Sequence, residues 1–432
     1  MKVLLFSTSL RSGGAAIACY RLWQALQKSG VESHMMVRDG SDRDPAVAAG
    51  SVITLSLRFG ALLRGRFAFL WERFTIWLAN GGSRKNLFAV SLANTGLQVV
   101  SHPVTAGADI LHIHWVQQGF LSLHEIARLQ KTGKPIVWTL HDMWPFTGIC
   151  HYAGACDRYT RECKKCPQLR NPSPTDISRK RFLAKAATLD FSKIVFVGCS
   201  DWIAQKARDS ALLRESRVVT IPNPIDTETF APSDRMVARQ RLNLTATNKV
   251  VLFGAAKVTD SRKGIHYFLE ACRILFFRQS VSAADITVLF FGNDEPNLSS
   301  QIPFPSVHLQ YLHSEADLAA MYSAADLFVI PSIEDNLPNT VVEALACGTP
   351  VAGFATGGIT SMIEPGKNGE LATPGSAQDL AMAIYKVLFV SDPVVLSRGA
   401  RHSALARYRE EVVSSQYKAL YNSLINHPGH TL

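Results

Sequence analysis

The segment Pro331–Val351, PSIEDNLPNTVVEALACGTPV, combines carboxylates with main-chain amides that could bind a phosphorylated sugar. Its pattern predicts a buried strand, a loop and a short helix that ends at Gly348. Amides of such a loop and of the first helical turn stabilise an anion, because they lack intrahelical partners and the helix dipole adds positive potential. Carboxylates accept sugar hydroxyls well, and three are present, Glu334, Asp335 and Glu343. An anion site beside these carboxylates predicts a nucleotide sugar as the ligand.

These groups need a scaffold that brings strand ends together, and the apolar runs predict one. The start MKVLLF predicts a strand, which Gly13 and Gly14 connect to a helix ending near Gly30. Strand, glycine turn and helix open a doubly wound α/β domain. Further strands are predicted over His34–Val37, Ile110–His114, Pro135–Leu140, Ile194–Gly198, Val250–Ala255, Thr287–Asn293, Asp326–Ser332 and Pro350–Phe354.

The length of 432 residues allows two large domains or three small ones. The proline-rich segment IPNPIDTETFAP (221–232) predicts a linker between them. We therefore predict an α/β fold of two Rossmann-like, doubly wound domains that face a cleft, over 1–220 and 233–400. Residues 401–432 are predicted to form a closing helix, and the N-terminal domain is one candidate for the surface it packs on. Its packing stripe is Val413, Tyr417, Leu420 and Leu424.

Three further motifs accompany the segment 331–351. The linker IPNPIDTETF is similar to I-P-N-G-V-D-x-x-x-F, YSAADLFVIPS to y-x-x-A-D-v-x-v-x-P-S, and ATGGITSMIEPGKNGEL to G-G-x-x-x-x-I-x-x-G-x-N-G-x-L. Together the four resemble the motifs of retaining GT-B glycosyltransferases of family 4, also called group 1. The resemblance implies a GT-B fold, with an acceptor-side N-terminal domain and a nucleotide-sugar-binding C-terminal domain.

The resemblance also assigns roles to the acidic loop. Glu343 takes the place of the second glutamate of the family's E-x7-E motif, which implies that it binds the ribose hydroxyls. The first glutamate falls on Asp335, one methylene shorter, so that either Asp335 or Glu334 is the carboxylate expected at the donor sugar. Pro338 replaces the loop glycine and removes one amide from the anion site. Two loop amides keep their N–H groups, those of Asn336 and Leu337.

Donor phosphates are implied to bind a basic turn and a glycine turn. In GAAKVTDSRKG (254–264), Lys263 matches the lysine of the family's R-x-x-x-x-K-G motif, and Lys257 or Arg262 must replace the displaced arginine. Solvated loop charges are the alternative interpretation. Gly13 and Gly14 resemble the family's glycine-rich loop near the donor phosphates, although a plain glycine turn explains them as well. No G-x-G-x-x-G is present, which disfavours a dinucleotide dehydrogenase.

His141 ends the predicted strand VWTLHD and matches the family's active-site histidine near the donor sugar. We expect His112 and His114 either to contact the acceptor or to be satisfied histidines at the sheet edge. Departure of the diphosphate would be assisted by Lys263, a neighbouring base and the loop amides, so that catalysis needs no divalent ion or other cofactor.

Four cysteines, Cys150, Cys156, Cys163 and Cys166, follow His141 in the pattern C-x5-C-x6-C-x2-C. Four thiolates in a short irregular loop fit a structural zinc site, and His151 is a substitute ligand. Disulfides or uncoordinated thiols are the alternatives. Some family members in polysaccharide assembly have a similar W-T-x-H-D-M-W-P-F-T-G-x-C-H loop, which implies a structural and not a catalytic role.

The segment from Arg58 to Leu78 predicts an amphipathic helix with an aromatic stripe and a basic face. The stripe is Leu63, Phe67, Leu70, Phe74 and Trp77, and Arg58, Arg66 and Arg73 mark the other face. Such a helix is suited to an anionic membrane surface or a lipid-linked acceptor. An ordinary core-packing helix with a solvated basic face is the alternative.

The formal net charge of +10 favours anionic partners. No secretory signal or membrane-spanning run is evident, so we expect a cytoplasmic protein, with the inner membrane face as the place of any peripheral contact. The predicted function is a hexosyltransferase that moves a sugar, with retention, from a nucleoside-diphosphate sugar to a saccharide or lipid-linked acceptor in bacterial-type surface polysaccharide synthesis, without a nucleic-acid partner. The alternatives are a same-fold nucleotide-sugar epimerase or hydrolase, and a non-enzymatic, zinc-containing nucleic-acid-binding protein.

Overall fold

The structure is a computed structural model, and it describes residues 1–41, 43–57, 59–244, 248–257, 260–278, 281–293, 298–309, 312 and 314–426. Of residues 59, 255–257, 278 and 293 it describes the backbone alone. The chain divides into two compact units, Met1–Asn223 with Val413–Leu432 and Pro224–Val412. The first division lies inside the segment 221–232, where the prolines predict a linker.

Parallel strands form the sheet of the first unit, and its described residues contribute β1 Lys2–Ser9, β2 Glu32–Asp39, β3 Val52–Thr54, β4 Ile110–Ile113, β5 Ile136–Leu140, β6 Ile194–Gly198 and β7 Val218–Thr220. Their order is β3-β2-β1-β4-β5-β6-β7. The direction of winding reverses between β1 and β4, where sheets of this kind bind ligands at the carboxyl ends of the strands. In this register Leu5 pairs with Met35 on one side and with His112 on the other.

Helices cover both faces of this sheet. Leu4 and Phe6 belong to the core on one face, and Val3 and Leu5 belong to the core on the other. Successive residues of a strand point to opposite faces, so a continuous apolar run such as this one is buried twice. The described helices of the unit are α1 Gly14–Lys28, α2 Pro45–Ala48, α3 Phe59–Ala79, α4 Pro103–Gly107, α5 Leu123–Gln130, α6 Ile177–Thr188 and α7 Asp201–Asp209.

The second unit repeats the arrangement with a second parallel sheet. Its described strands are β8 Lys249–Lys257, β9 Ile286–Asn293, β10 Ser306–Leu309, β11 Leu327–Ile330, β12 Val351–Phe354 and β13 Gly369–Ala372. Their order is β10-β9-β8-β11-β12-β13. Its described helices are α8 Arg235–Arg241, α9 Ile265–Arg278, α10 Leu298–Gln301, α11 Glu315–Ala324, α12 Asn339–Ala346, α13 Ile359–Met362, α14 Ala377–Tyr385 and α15 Pro393–Arg407. The closing helix α16, Glu410–Asn426, begins in this unit and continues into the first. Its stripe lies in the same core as Val3 and Leu5 of β1.

The prediction of two doubly wound parallel sheets is confirmed. The strands absent from the prediction, β3, β7, β10 and β13, are the edge strands of the two sheets. They have three or four residues each and lack the longer apolar run that marks a strand buried on both faces. Among the described helices none is long and apolar enough to cross a membrane by itself; the pair Ala377–Val390 and Pro393–Arg407 meets the length and composition criteria jointly but bends by 112°.

Candidate active site

The second unit brings the predicted basic turn against the predicted acidic loop. A single 3-10 turn, Ser261–Lys263, follows β8, and Asp260 caps it by accepting from the Arg262 N–H at 3.0 Å. The Lys263 ammonium donates to Asp335 Oδ2 at 2.6 Å. The Arg262 guanidinium donates to the main-chain oxygen of Glu334 at 3.2 Å and to Asp260 Oδ2 at 2.9 Å. Four predicted site residues therefore meet here.

Asp335 is an ionised, buried carboxylate with only 7% of its surface exposed. Burial alone raises the pKa of its carboxyl, but Lys263 and Arg262, together with the Asn336 N–H, bring the pKa below its ordinary value. That N–H donates to Asp335 Oδ1 at 3.1 Å. An ammonium carries three N–H donors, so Lys263 can bind Asp335 and a phosphate oxygen at the same time.

Two glycines allow the close approach of these loops. Gly264 has φ +67°, and a Cβ there would lie 1.9 Å from the Pro331 carbonyl oxygen at the end of β11. Gly357 has φ +54°, and a Cβ there would lie 2.0 Å from the Asp335 carbonyl oxygen. A side chain at Gly264 would therefore push the basic turn away from the end of β11, and one at Gly357 would push its own loop away from the acidic loop.

The acidic loop leads into α12, which begins after Pro338 without a side-chain cap. Its dipole is therefore directed at the loop without a capping carboxylate. Asn336 and Leu337 are buried. Glu343, on the buried face of the helix, accepts from the Tyr322 hydroxyl at 2.9 Å. Lys257 is the last residue of β8, and its side chain lies outside the described residues.

In the first unit, the predicted glycine turn lies between β1 and α1. Gly13 has φ +91° and precedes the helix, and Gly14 is the first helical residue. A Cβ at Gly13 would meet no atom within 4 Å. Glycine is therefore favoured here by the backbone conformation and not by packing.

His141 and His114 form a hydrogen-bonded pair after the neighbouring strands β5 and β4. His114 Nδ1 lies 2.8 Å from His141 Nε2, and His141 Nδ1 lies 3.7 Å from Cys199 Sγ. Burial lowers the pKa of His141 to about 4 and also lowers the pKa of His114. Both imidazoles are therefore neutral at pH 7. Within the described part of the chain, His114 Nε2 is buried without a hydrogen-bond partner.

His112 is satisfied inside the sheet. Its ring nitrogens are 2.7 Å from the Tyr421 hydroxyl and 2.7 Å from Thr139 Oγ1. Burial lowers its pKa to about 3. With no exposed surface and both nitrogens bonded, His112 has a structural role.

Comparison with known proteins identifies the family. The family model described as Glycosyltransferase Family 4 matches residues 12–229, and the model described as Glycosyl transferases group 1 matches residues 247–389. The chain belongs to glycosyltransferase family 4. It is also 26% identical over 365 residues to the colanic acid biosynthesis glycosyl transferase WcaC of Escherichia coli strain K12, a match that covers 81% of this transferase and 82% of WcaC.

Solved structures with the same fold extend over nearly the whole transferase. Sucrose-phosphate synthase from Thermosynechococcus elongatus superposes with a TM-score of 0.66 at 19% identity, covering 98% of this chain and 99% of its own. HepE (Alr3699) of Anabaena, crystallised with UDP and glucose, superposes with a TM-score of 0.65 at 19% identity, covering 98% and 100%. The predicted GT-B fold and enzyme class are confirmed, and the alternative of a non-enzymatic nucleic-acid-binding protein is set aside.

A buried series of hydrogen-bonded side chains begins next to His141 and reaches the start of the transferase's cysteine loop. Asp142 Oδ2 accepts from Trp115 Nε1 at 2.8 Å and from His151 Nδ1 at 2.6 Å, and His151 Nε2 lies 3.2 Å from Ser91 Oγ. The order is that of a hydrolase triad, but Ser91 has no exposed surface and cannot reach a substrate. Burial alone raises the pKa of Asp142, yet His151 and the hydrogen bonds bring it below its ordinary value. These hydrogen bonds therefore hold the start of the cysteine loop in place.

The four loop cysteines line one small cavity. All eight cysteines of the transferase are unpaired thiols. Burial raises the pKa of Cys163 to about 11 and of Cys166 to about 12, and Cys163 Sγ accepts from the Gly148 N–H at 3.2 Å. In the described residues, no three His, Cys, Asp or Glu side chains have an arrangement that would hold a metal ion. The thiols share a cavity without converging on one point.

The contacts of two buried residues, Lys185 and Tyr322, could not be predicted from the sequence. Lys185, on α6, is buried; its ammonium donates to the carbonyl oxygens of Trp144 and Thr147, the latter at 2.8 Å, and burial lowers its pKa to about 7. It holds the start of the cysteine loop, yet it lies in a run of basic residues that predicts a solvated face. Tyr322, the partner of Glu343, lies within a family motif, but that motif does not say which residue it contacts.

Proposed function

We propose that the transferase moves a sugar, with retention of anomeric configuration, from a nucleoside-diphosphate sugar to a saccharide or lipid-linked acceptor in bacterial-type surface polysaccharide synthesis. The observation that carries this proposal is the Lys263–Asp335 pair, with Arg262 beside it, at the amino end of α12. The names of two similar proteins support it. The name of WcaC refers to colanic acid biosynthesis, and HepE was crystallised with UDP and glucose.

The cations are proposed to serve the leaving diphosphate. When the bond between the anomeric carbon and the phosphate oxygen breaks, the electron pair stays on the diphosphate, and its negative charge grows. Lys263 is held by Asp335 and Arg262 by Asp260, so neither cation must reorganise as the charge develops. The loop amide of Leu337 adds a dipole to the same anion, whereas the Asn336 N–H is already donated to Asp335. This electrostatic stabilisation makes a catalytic metal ion unnecessary.

His141 is proposed to bind a hydroxyl of the donor sugar. Because its pKa is about 4, it supplies hydrogen bonds without positive charge. Nε2 is bonded to His114, whereas the sulfur 3.7 Å from Nδ1 is a weak partner. We therefore expect Nδ1 to exchange Cys199 for the sugar. Glu343 is proposed to bind the ribose hydroxyls with Oε1, while Oε2 remains with Tyr322.

The test is thermal unfolding of the whole chain with UDP, GDP and ADP and their sugars, with and without EDTA. A nucleotide at about 100 times its Kd should stabilise by about 2.7 kcal/mol, which is a shift of roughly 5–10 °C for a unit of this size. We expect one base to stabilise and EDTA to leave the shift unchanged. The absence of a shift with every nucleotide would contradict the proposal.

Product analysis separates the remaining alternatives. With the stabilising donor and a mixture of lipid-linked and soluble saccharides, the product should carry the anomeric configuration of the donor, read by NMR coupling constants. An inverted product would refute retention. Donor consumption at an equal rate with no acceptor present would identify the epimerase or hydrolase instead.

For the cysteine loop we propose a structural zinc ion, supported by four thiols on one cavity and by the N–H donor to Cys163. Binding would require the thiols to converge and ionise. The measurement is elemental analysis of purified protein together with a count of reactive thiols. One zinc per chain with four protected thiols is expected; no zinc, with the same thiols titratable after unfolding, would overturn it.

A further inference from the structure

The outward surface of α3 is apolar and aromatic. Its large side chains have between 37% and 64% of their surface exposed, and three successive ring pairs lie 5.9–6.0 Å apart. They form one continuous row and are not scattered. We name this row the aromatic face, and it consists of Leu63, Phe67, Leu70, Trp71, Phe74 and Trp77. The interpretation of the predicted stripe as core is therefore wrong. The predicted basic face is wrong at Arg73, which is buried, and Arg58 lies outside the described residues.

The opposite side of α3 is fixed to the first unit. Ala68 and Ile76 are core residues. Glu72 has no exposed surface, and its Oε1 accepts from the N–H groups of Leu92 at 2.6 Å and Ala93 at 3.0 Å. Arg73 pairs with Glu72 and donates to the protein main chain. The helix cannot rotate its aromatic face inward without losing these buried bonds.

The exposed charges of the chain segment that contains the aromatic face have one sign. Between residues 51 and 100 the only acidic residue is Glu72, and it is buried against Arg73. The exposed charged side chains described in this segment are all basic, namely Arg64, Arg66, Arg84 and Lys85. An anionic surface is therefore complementary to this segment.

We propose that the aromatic face docks the transferase on an anionic lipid bilayer. With 21 residues, α3 is about 31 Å long, and a helix with aromatic and leucine side chains flanked by arginines lies in the plane of the headgroups. A second copy is disfavoured because a two-fold contact would set the four exposed cations against themselves. The bilayer proposal depends on the proposed function in one respect: a bilayer would present the lipid-linked acceptor.

The experiment is flotation of the full chain with phosphatidylcholine vesicles and with mixed phosphatidylcholine–phosphatidylglycerol vesicles, at low and high salt, without donor or acceptor. We expect binding to the anionic vesicles alone, weakened by salt. The double variant F67S/F74S should bind more than about tenfold more weakly, since it removes two inserted rings. F277S is the matched control, because Phe277 on α9 is 73% exposed but outside the aromatic face.

A second pair of variants tests the charge. R64Q/R66Q should weaken binding about 25-fold, roughly five-fold for each arginine, whereas R398Q, which removes an exposed arginine of α15, should not. All these side chains are exposed, so circular dichroism and the Tm should stay unchanged. The proposal is overturned if the wild type ignores anionic vesicles or if F277S weakens binding as much as F67S/F74S.

Other outcomes are equally decisive. Self-association that F67S/F74S abolishes, with no vesicle binding, would show that a second copy covers the face and would refute the bilayer. Transfer to a soluble acceptor without vesicle binding would refute this proposal and leave the proposed function standing. Vesicle binding without any sugar transfer would do the reverse.

Discussion

Lys263→Met removes the cation that we assign to the leaving diphosphate and leaves Asp335 buried. Asp335 has 9% of its side chain exposed and Lys263 has 23%, with 2.6 Å between Nζ and Oδ2. Removing one partner of a fully buried pair costs about 3–5 kcal/mol, and an exposed pair is worth about 0–1 kcal/mol. Because Asn336 N–H and Arg262 remain near the carboxylate, we expect a loss of about 1–3 kcal/mol in the free energy of unfolding.

The chain offers a matched control in the same unit. Lys386 pairs with Glu370 at 2.8 Å, and that carboxylate is as buried as Asp335, with 8% of its side chain exposed. Lys386→Met therefore also strands a buried carboxylate, but it does so away from the acidic loop. Its own side chain is 52% exposed, but the carboxylate that it leaves is buried, so we expect a loss of about 1–3 kcal/mol, as for Lys263→Met.

Activity should separate the two variants. The loss of one preorganised electrostatic group lowers kcat by about 10²–10³, or about 2.7–4 kcal/mol. We expect that loss for Lys263→Met, and a rate within about twofold of the wild type for Lys386→Met. The assay is nucleotide release with the identified donor, well below the Tm of each variant. Lys263→Arg should recover part of the rate, because a guanidinium keeps the charge.

The pH dependence gives a second test of the same pair. The folded-state pKa of Asp335 is depressed, so its stabilisation is complete above the unfolded value near 4 and is lost as the pH falls through the folded value. The stability difference between wild type and Lys263→Met should therefore be largest above about pH 5 and shrink below about pH 4. A variant that loses stability with this profile but keeps transfer within about fivefold would refute the catalytic assignment and leave Lys263 a purely structural partner.

Three further outcomes follow from the same geometry. Since burial lowers the pKa of His141 to about 4, kcat/KM should stay level from about pH 8 to about pH 5 and fall only below that; an acid limb between about pH 6 and 7 would show an unperturbed histidine. Glu343→Gln keeps an acceptor for Tyr322 but loses the charge, so calorimetry should show a nucleotide Kd raised about 5- to 30-fold, and equal losses with a 2′-deoxynucleotide would contradict ribose binding. His151→Phe removes a partner that depresses the pKa of Asp142, so its stability deficit should be present at neutral pH and shrink as the pH falls below about 4 in urea titrations.

The fold was predictable because its signals are local. Apolar runs mark strands that are buried on both faces, and glycines such as Gly264 mark turns where a side chain would collide with a neighbouring strand end. The contacts within the candidate site were not predictable from the sequence. Lys263 and Asp335 are 72 residues apart, and no periodicity says which of several loop cations meets which carboxylate.

The histidine pair shows the same limit. His114 and His141 each end an apolar run, but their 2.8 Å contact depends on β4 lying beside β5, which only the strand order determines. Lys185 was beyond prediction for a different reason. Burial of a lysine depends on carbonyl oxygens supplied by residues some 40 positions away, whereas its neighbours in sequence indicate a solvated helix.

For α3 the sequence determined the helix but not which side turns inward. The row of large apolar side chains has more area to bury than Ala68 and Ile76, so hydrophobic burial alone would favour the inverse orientation. Inversion would leave the amides of Leu92 and Ala93 without their acceptor, and an unpaired buried group costs about 1–3 kcal/mol. It would also separate Glu72 from Arg73 and from the two amides that it accepts from. The buried Glu72–Arg73 pair therefore specifies orientation more than stability, and the apolar surface that it keeps outside is the surface that needs a partner.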